Sequence, residues 1–344
     1  MKILYAGSPL ASAMVLRNLI EFSRSDEGKS LGVEIAGVLT NVPSARGRKK
    51  DLIPTEVAVC ARENDIPVLE FEHLFAEARE AVCALKPELL VTFDYGRIFG
   101  PKFLEIFALG GINLHPSALP KHRGCTPVPA AILAGENQLG VTVQKIALKT
   151  DEGDILAQSF VDLDGTETTL SLMDGDGKNS PVSEAGTQLF IQVLKNYANG
   201  RFDGKVQQGE SDYTPFIKKE DGLIDWNKTA VEIDRQIRAF TPWPLCFTAC
   251  HGIKLSILKA EPGKLDGNSL ENSEKIQNVP GTVLPYRKNA GIEVVCGGGT
   301  VLAVKELQWQ GKKAMDYKSF MNGARDFIGC VLDDKINLEE NKKN

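Results

Sequence analysis

The sequence predicts an α/β protein with a doubly wound, mostly parallel sheet, followed by a smaller β-rich C-terminal domain. Strand and helix patterns alternate through the first half of the 344-residue chain. Short β-rich segments separated by Gly, Pro and Asn occupy the second half. The length itself suggests two domains of roughly 150 residues each.

The first half alternates between apolar residues at strand spacing and apolar residues at helix spacing. The predicted strands cover residues 2–6, 33–40, 66–71, 89–93, 111–115, 139–147 and 155–162. The predicted helices cover residues 11–22, 56–64, 74–85, 101–109 and 182–196. The run 89–93 is almost entirely apolar, as expected for a strand buried on both faces of a parallel sheet. This order predicts a Rossmann-like arrangement, in which ligands bind beyond the carboxyl ends of the strands.

Changes in composition mark the expected domain boundaries. We expect a first domain over residues 1–199, a polar linker over 200–214, a C-terminal domain over 215–330 and a polar tail over 331–344. In the C-terminal domain, residues 255–260, 281–285, 291–295 and 300–307 are predicted to form the short strands of a small barrel or open sheet. The tail from Asp333 is too polar to bury, and we expect it to fray.

Composition and charge exclude several classes of protein. With 42% hydrophobic and 25% charged residues, the chain is typical of a soluble globular protein. It has no run of about 18 apolar residues, so no membrane span is expected, and its N-terminus has no stretch typical of a signal peptide. The net charge of −5 does not indicate a nucleic-acid partner, so any such contact must come from a local basic patch.

The 7 cysteines are odd in number and scattered, which is typical of reduced thiols in the cytoplasm. Cys246 and Cys250 lie four residues apart, and His251 follows at once. Because no second pair of ligands has the spacing of a metal site, we expect packed or half-exposed thiols here. No metal is predicted for the chain.

Residues able to carry chemistry concentrate in the segment 111–124. The predicted strand there ends in Asn113 and His115. Because side chains alternate between the two faces of a strand, these two residues lie on the same face. An amide donor beside an imidazole can stabilise an oxyanion formed on a carbonyl carbon. A carboxylate could orient and charge that imidazole, and Asp151, in the loop after the next predicted strand, is the best candidate. A lone histidine is more often simply packed, but Asn-x-His-x-Ser-x-Leu-Pro with a later Asp-x-Gly-Asp favours a catalytic trio.

These segments resemble the folate-dependent formyltransferase family. The family's Asn-x-His motif matches Asn113 and His115, and its Asp-x-Gly loop matches Asp151-Glu152-Gly153. The resemblance implies that Asn113, His115 and Asp151 are catalytic, and that residues 1–199 form the catalytic domain of a one-carbon transferase. In the implied mechanism a neutral amine attacks the formyl carbon, Asn113 and protonated His115 stabilise the oxyanion, and Asp151 supports the charged imidazole and assists proton removal.

The same resemblance implies that 10-formyltetrahydrofolate is the formyl donor. The family's folate-contacting Ser-Leu-Leu-Pro matches Ser117-Ala118-Leu119-Pro120, in which Ala118 replaces a leucine. Its Ala-Tyr-Gly segment matches Asp94-Tyr95-Gly96, so Tyr95 and Gly96 are expected to line the pterin pocket. The chain departs from the family where Arg123-Gly124-Cys125-Thr126-Pro127 stands for Arg-Gly-Ala-Ala-Pro, and again over residues 7–11 and 170–184.

Three further segments bear on which amine is formylated. The run Arg46-Gly47-Arg48-Lys49-Lys50 is similar to the Arg-Gly-x-Lys-Lys loop of methionyl-tRNA formyltransferases, although such a charge run is more often a solvated loop. Residues 224–226 and 237–244 resemble the start of the second domain of those enzymes, with Trp226 and Trp243 expected in the core. The third segment, Gly311-Lys312-Lys313-Ala314-Met315, is again similar to those enzymes. Its two lysines fit either a contact with the tRNA backbone or a solvated turn.

The resemblance therefore implies initiator methionyl-tRNA as the acceptor and formylmethionyl-tRNA, used in translation initiation, as the product. Arg46, Arg48, Lys49, Lys50, Lys312 and Lys313 are the expected tRNA contacts, and residues 215–330 are expected to form a tRNA-binding β-barrel (OB-like). A sugar-nucleotide N-formyltransferase would share the trio but have little use for residues 46–50. A noncatalytic RNA- or folate-binding protein would not need the whole trio. We expect a monomer without DNA or membrane partners.

Overall fold

The protein is described from a computed structural model over residues 1–46, 51–263 and 279–336. It divides into two compact units. The first unit comprises residues 1–131, 137–164 and 170–215, and the second comprises residues 132–136, 165–169 and the chain from Phe216 onward. The polar segment 200–214, expected to be a linker, therefore belongs to the first unit.

The strands are numbered β1 to β16 in chain order. Those of the first unit, β1 to β11, span Lys2–Ala6, Glu34–Thr40, Ser44–Arg46, Asp51–Ile53, Val68–Glu70, Leu89–Thr92, Gly111–His115, Arg123–Gly124, Gln138–Lys145, Ile155–Asp162 and Tyr213–Thr214. Those of the second unit, β12 to β16, span Cys246–Cys250, Ile253–Gly263, Ile292–Val295, Val301–Trp309 and Met315–Asp316.

The helices of the described residues are numbered α1 to α10 in chain order. They span Leu10–Arg24, Asp26–Ser30, Glu56–Glu63, Ala76–Ala84, Pro101–Leu104, Pro127–Ala134, Thr169–Met173, Pro181–Ala198, Ala230–Ala239 and Tyr317–Gly323. Short 3-10 helices cover Lys219–Gly222, Gly297–Gly299 and Arg325–Phe327. Over residues 1–46, 51–263 and 279–336, no helix is both long and apolar enough to cross a bilayer.

The first unit is built on a seven-stranded sheet with the order β10-β9-β7-β6-β1-β2-β5. Strands β5, β2, β1, β6 and β7 are parallel, whereas β9 runs antiparallel to both of its neighbours. Strand β6 is buried along its whole length, because its residues are apolar up to the last one, Thr92. Helix α1 packs against both α3 and α8, and all three helices contact this sheet. The predicted mostly parallel α/β sheet is confirmed.

The second unit is an antiparallel sheet in the order β12-β13-β15-β14, with β16 paired to β15. Three isolated bridges continue the circuit from β14 back to β12, and they join Val283 with Val294, Thr282 with Val331, and Asp333 with Ala249. Because each bridge adds backbone pairing at an otherwise open edge, the strands close on themselves. The second unit is thus a small closed barrel.

The segment that closes this barrel was expected to be a fraying polar tail. Instead, Leu332 is 2% exposed, and its N–H donates to the carbonyl of Gly281 at 2.9 Å. The backbone of Asp333 exchanges two hydrogen bonds with Ala249, at 2.7 and 3.0 Å. The polar composition from residue 333 onward hid this pairing, since backbone hydrogen bonds do not depend on side-chain polarity. Residues 337–344 lie outside the described residues.

The structure differs from the sequence-based expectations at several other places. The helix expected over 101–109 ends at Leu104, and the strand expected over 281–285 makes only isolated bridges. Helix α9 was not predicted, although Thr229 and Glu232 form a capping box at its start. Trp226 is buried as expected, with its indole N–H donating to Thr248 Oγ1 at 3.0 Å. Trp243 was also expected in the core, and that expectation is wrong, because Trp243 lies in the turn before β12 and is 58% exposed.

Leu332→Ala tests the closing segment. We expect this change to lower the free energy of unfolding of the second unit by about 2–4 kcal/mol, because it removes a buried side chain from a packed core. Urea unfolding followed by tryptophan fluorescence is a suitable measurement, since all 3 tryptophans lie in the second unit. Val331→Ala is the matched control: Val331 is 47% exposed and should cost less than about 1 kcal/mol. Equal effects of the two changes would contradict a closed barrel.

Candidate active site

Asn113 and His115 lie on one face of β7, at its carboxyl end, as their spacing predicts. In the sheet, Asn113 is opposite Thr92 of β6 and Gln144 of β9, and His115 is opposite Thr142 of β9. Directly opposite residues point to the same face. These side chains therefore form a polar row across three strands, and all of them except Asn113 are buried. A polar row inside an apolar sheet is costly unless its members are hydrogen-bonded or functional.

The Asp151 carboxylate is held in place before any substrate binds. Its Oδ1 accepts a hydrogen bond from Gln144 Nε2 at 2.8 Å, and its Oδ2 accepts one from the backbone N–H of Gly124 at 2.9 Å. Its backbone carbonyl accepts from Gln207 Nε2 at 2.8 Å. Asp151 itself adopts a left-handed backbone conformation, with φ of 56°. The loop is thus fixed through both its side chain and its backbone.

The structure brings Asp151 to His115. His115 Nδ1 lies 3.7 Å from Asp151 Oδ2, and the two side chains are 6% and 10% exposed. This is an ion-pair distance and is too long for a direct hydrogen bond. The other ring nitrogen, Nε2, donates to the carbonyl of His122 at 2.8 Å, since a carbonyl oxygen can only accept. Nδ1 is therefore the nitrogen that is free to take up a proton, and it does so facing a carboxylate.

Burial lowers the pKa of His115, and this outweighs the opposing effects of the Asp151 charge and of the hydrogen bond to His122. A lowered pKa favours the neutral imidazole at pH 7. From the sequence we expected a protonated His115 as an oxyanion donor. An imidazolium formed at this position would lie 3.7 Å from the Asp151 carboxylate.

His122 fixes the carbonyl that His115 uses. The backbone N–H of His122 donates to Asp212 Oδ1 at 2.8 Å, and its Nδ1 lies 3.0 Å from Asp212 Oδ2. Nearby, Arg123 donates through Nε and Nη2 to Gln207 Oε1, at 3.1 and 2.7 Å. Asp212 and Gln207 both come from the segment that was expected to be a linker. This segment is therefore part of the structure that supports the site.

Sequence reasoning missed Gln144, Gln207 and Asp212. A signal was present for Gln144, because Thr142 and Gln144 alternate with Leu139, Val141 and Val143 in a strand otherwise suited to full burial. Polar residues at every second position of such a strand indicate that this face has a role other than packing. Gln207 and Asp212 gave no comparable signal, since they lie in a uniformly polar segment.

The Asn113 carboxamide differs from its neighbours. Within the described part of the chain, no group is hydrogen-bonded to it, and it is only partly buried. An amide with free N–H groups beside a buried imidazole can donate to a substrate oxygen. The trio thus presents one free donor, one free base and one fixed carboxylate.

The segment 117–120, expected to contact folate, follows β7 directly. Its polar groups are used internally, because the Ser117 hydroxyl donates to the carbonyl of Lys121 and the Ser117 carbonyl accepts from Thr142 Oγ1, both at 2.7 Å. Leu119 is buried, and the Leu119-Pro120 peptide is cis. Ala118 approaches Gly140 so closely that a Cβ on Gly140 would lie 2.2 Å from the Ala118 nitrogen.

Tyr95 and Gly96 lie just beyond the carboxyl end of β6. The Tyr95 ring stacks on Phe99, with 5.3 Å between centroids, inside a hydrophobic cluster. Its hydroxyl is buried and has no hydrogen-bond partner among the described residues. A buried hydroxyl without a partner is uncommon and fits a ligand group that completes the site. Gly96 has φ of 76°, which glycine adopts without strain.

The predicted basic contacts belong partly to the first unit and partly to the second. Arg46 ends β3, and its backbone pairs with Asp51 of β4. Arg48, Lys49 and Lys50 lie outside the described residues. In the second unit, Lys312 and Lys313 are exposed after β15, next to Gly311, which has φ of 72°.

Both units of the chain match models of known protein families. Residues 1–194 match the family model described as formyl transferase, and residues 216–325 match the model described as formyl transferase, C-terminal domain. The chain belongs to the formyl transferase family. The resemblance that the Asn-x-His and Asp-x-Gly motifs suggested is thereby confirmed.

Named relatives of this formyltransferase are similar over nearly its full length. The methionyl-tRNA formyltransferase of Treponema denticola is 41% identical over 339 residues, covering 95% of this chain and 98% of the relative. That of Bacillus subtilis is 35% identical over 342 residues, covering 99% of each.

Solved structures share the fold at low identity. A methionyl-tRNA formyltransferase from Clostridium thermocellum is 17% identical, with a TM-score of 0.52 over 77% of this chain and 95% of its own. An N-formyltransferase from Helicobacter canadensis, in complex with folinic acid and dTDP-3-aminofucose, is 21% identical, with a TM-score of 0.58 over 88% and 99%. HypX from Aquifex aeolicus, in complex with tetrahydrofolic acid, is 18% identical, with a TM-score of 0.60, and this formyltransferase covers 47% of it.

One departure from the family motif has a structural consequence. Thr126, where the family carries alanine, donates its hydroxyl to the carbonyl of Pro215 at 2.9 Å. Its backbone N–H donates to Thr214 Oγ1 at 3.0 Å. Threonine thus ties the motif to the segment that also supplies Gln207 and Asp212.

Titration of His115 tests the electrostatics of the site. We expect its pKa to lie below the ordinary value of about 6.5, and to fall further in Asp151→Asn, because the Asp151 charge raises it. NMR of isotopically labelled histidine can follow the titration, since the chain has only 4 histidines. A His115 pKa above the ordinary value, or a rise on removal of the Asp151 charge, would contradict this account.

Proposed function

We propose that this protein transfers the formyl group of 10-formyltetrahydrofolate to the α-amino group of methionine on initiator tRNA, giving formylmethionyl-tRNA for translation initiation. The observation that carries the proposal is the trio: an unpartnered Asn113 carboxamide beside a buried His115, whose free nitrogen faces the fixed Asp151 carboxylate. The near full-length similarity to proteins named methionyl-tRNA formyltransferase supports the choice of acceptor.

In the first step, the neutral amine of the acceptor attacks the formyl carbon and a carbon–nitrogen bond forms. Negative charge develops on the formyl oxygen, and the Asn113 N–H groups donate to it. Because this donor is already in place and is not engaged elsewhere, no reorganisation is needed as the charge develops.

The attacking nitrogen then has to lose a proton. His115 is neutral in the resting site and takes this proton at Nδ1, next to Asp151. The resulting imidazolium is stabilised by the carboxylate 3.7 Å away. When the tetrahedral intermediate collapses, the bond to the folate N10 breaks, and N10 receives the proton that His115 holds. The products are the formylated amine and tetrahydrofolate, and His115 returns to its neutral form.

The folate donor fits the residues proposed to bind it. The buried, unpartnered hydroxyl of Tyr95 offers a hydrogen bond to a polar pterin group. Leu119 and Pro120 offer an apolar edge next to β7, and Gly96 leaves room for close approach. Ser117 and Ala118 contribute backbone shape, since the Ser117 side chain is already hydrogen-bonded within the protein.

We further assign the tRNA contacts to the basic loop of Arg46, Arg48, Lys49 and Lys50 and to the exposed pair Lys312 and Lys313. With a net charge of −5, the protein needs local basic groups to hold a polyanion. We place the protein in the cytoplasm as a monomer that uses neither DNA nor a membrane. Seven free cysteines support a reducing compartment, and light scattering during gel filtration measures the oligomeric state.

The acceptor can be tested directly. The purified protein is incubated with 10-formyltetrahydrofolate and methionyl initiator tRNA, and formylmethionine is measured after deacylation. We expect formylation that requires the initiator tRNA and is weak with elongator methionyl-tRNA. Formylation of a nucleotide-linked amino sugar, with none of methionyl-tRNA, would replace this function by that of a sugar-nucleotide N-formyltransferase. Tight tRNA binding by folded protein without any turnover would indicate a noncatalytic binding protein.

Substitutions in the trio test the mechanism. Asn113→Ala should reduce kcat by about 10²–10³, as expected for loss of one oxyanion donor. His115→Ala and Asp151→Ala should each reduce it by about 10²–10⁴, as expected for loss of general-base help. His73→Ala is the control, because His73 is an exposed histidine that stacks on Phe75. Near-normal turnover in all three trio variants, each shown to be folded, would refute the assignment.

Neutralising the basic loop tests the tRNA contacts. A variant with Arg46, Arg48, Lys49 and Lys50 all changed to Ala should raise KM for tRNA and leave kcat at saturating tRNA unchanged. The slope of log affinity against log salt should become shallower by about 0.9 for each phosphate that the loop no longer neutralises. The control replaces Lys29, Lys86 and Lys102, exposed lysines elsewhere in the first unit. An equal rise in KM in the control would show that overall charge, and not this loop, binds tRNA.

A further inference from the structure

A cluster of metal-ligating side chains lies in the second unit and takes no part in the proposed chemistry. The ligand atoms of Cys250, His251 and Cys330 all lie within 4.8 Å of one another. His251 Nε2 is 3.1 Å from Cys330 Sγ, and the thiols of Cys250 and Cys330 are within hydrogen-bonding reach. Over residues 1–46, 51–263 and 279–336, no other three residues of these types converge this closely.

The hairpin between β12 and β13 fixes two of these residues. Cys250 is buried and ends β12, opposite Ile253 of β13. The two residues between them, His251 and Gly252, both have positive φ, at 51° and 79°. This is the turn that joins antiparallel strands most tightly, and it holds the imidazole next to the strand end. His251 is exposed, so the cluster is open to solvent on that side.

The barrel closure fixes the third residue. The backbone N–H of Cys330 donates to the carbonyl of Phe327 at 3.2 Å, and its own carbonyl accepts from the N–H of Val283 at 2.9 Å. Its thiol donates to the carbonyl of Asp326 at 3.3 Å. Cys330 thus reaches the hairpin from a part of the chain 79 residues away from His251, which the sequence pattern alone could not reveal.

The geometry suits a tetrahedral ion. A zinc ion with Zn–S bonds of about 2.3 Å and Zn–N bonds of about 2.0 Å needs S···S separations of about 3.8 Å and S···N separations of about 3.6 Å. The observed distance from His251 Nε2 to Cys330 Sγ is 3.1 Å, and no two of the three ligand atoms are more than 4.8 Å apart. The separations that zinc needs lie between these two values. The observed His251–Cys330 separation is thus about 0.5 Å shorter than the separation that one tetrahedral zinc ion needs.

The chemistry of the three ligands also suits zinc. Zinc binds cysteine and histidine side chains, and a water molecule can complete a tetrahedral set of three protein ligands. Each cysteine would bind as a thiolate, and the protons of the two thiols would pass to solvent as the ion binds.

We propose that Cys250, His251 and Cys330 bind a zinc ion, with a water molecule as the fourth ligand. The ion would fasten the segment 330–333, which closes the barrel, to the β12–β13 hairpin. The alternative role for the two cysteines of this cluster is a disulfide between Cys250 and Cys330. The metal accounts better for the structure, because a disulfide would leave unexplained why His251 Nε2 contacts Cys330 Sγ. This inference does not depend on the proposed formyl transfer.

Metal binding is tested on the full chain, purified under reducing conditions, stripped with a chelator and supplied with Zn²⁺. After gel filtration, elemental analysis should find one zinc per chain in the wild type. Cys330→Ser and His251→Ala should weaken binding at least about tenfold, as for loss of a metal ligand. Cys83→Ser, which removes an exposed thiol of the first unit, should bind normally. In place of zinc, Co²⁺ should give the visible absorption of a tetrahedral site with thiolate ligands.

Thermal unfolding of the wild type and of His251→Ala gives a second measurement. Zinc at 100-fold excess over its Kd should raise the Tm of the wild type by about 3 °C or more, and the same zinc concentration should raise that of His251→Ala by no more than about half as much. His251 is exposed, so this variant is expected to stay folded. Wild-type protein that retains no zinc, or Cys330→Ser that binds it as tightly as wild type, would overturn the proposal. A Cys250–Cys330 disulfide found by peptide mass analysis of metal-free protein as isolated would also overturn it.

Discussion

The formyl transfer that we propose depends on the fixed position of the Asp151 carboxylate. Each of its oxygens accepts a hydrogen bond from the protein, one from the Gln144 side chain on β9 and one from the backbone N–H of Gly124. The carboxylate therefore faces His115 Nδ1 in the resting state, and no side chain has to move when the imidazole becomes charged. Because both groups are nearly excluded from water, their attraction is much stronger than it would be on the surface.

That fixed position depends in turn on the loop that carries Asp151. Gly153 lets this loop lie directly against β9, because a Cβ there would be 1.7 Å from the carbonyl oxygen of Lys145. Gln207 holds the loop from the other side through the carbonyls of Asp151 and Gly153, both at 2.8 Å. Asp212 fixes His122, whose carbonyl holds the second nitrogen of His115. The polar segment after α8 thus joins the site to the rest of the first unit.

Patterns among neighbouring residues were enough to predict individual strands and the face of a strand on which a side chain lies. The apolar run of β6 and the period-two placement of Asn113 and His115 depend only on neighbouring residues, and the structure has both as predicted. The partners of the site could not be predicted in this way. Gln207 and Asp212 reach it across 56 and 90 residues of chain, from a segment whose composition resembles a linker. The lowered pKa of His115 could not be predicted either, because burial is a property of the fold and not of the motif.

A double-mutant cycle on His115 and Asp151 tests the central claim, that the two side chains act as one base. Single-turnover rates of formyl transfer would be measured for the wild type, His115→Ala, Asp151→Asn and the double variant. If Asp151 acts through His115, the double variant should be within about threefold of His115→Ala, because removing the carboxylate costs little once the imidazole is gone. Rate losses that simply multiply would show that the two residues act independently, and would contradict the account.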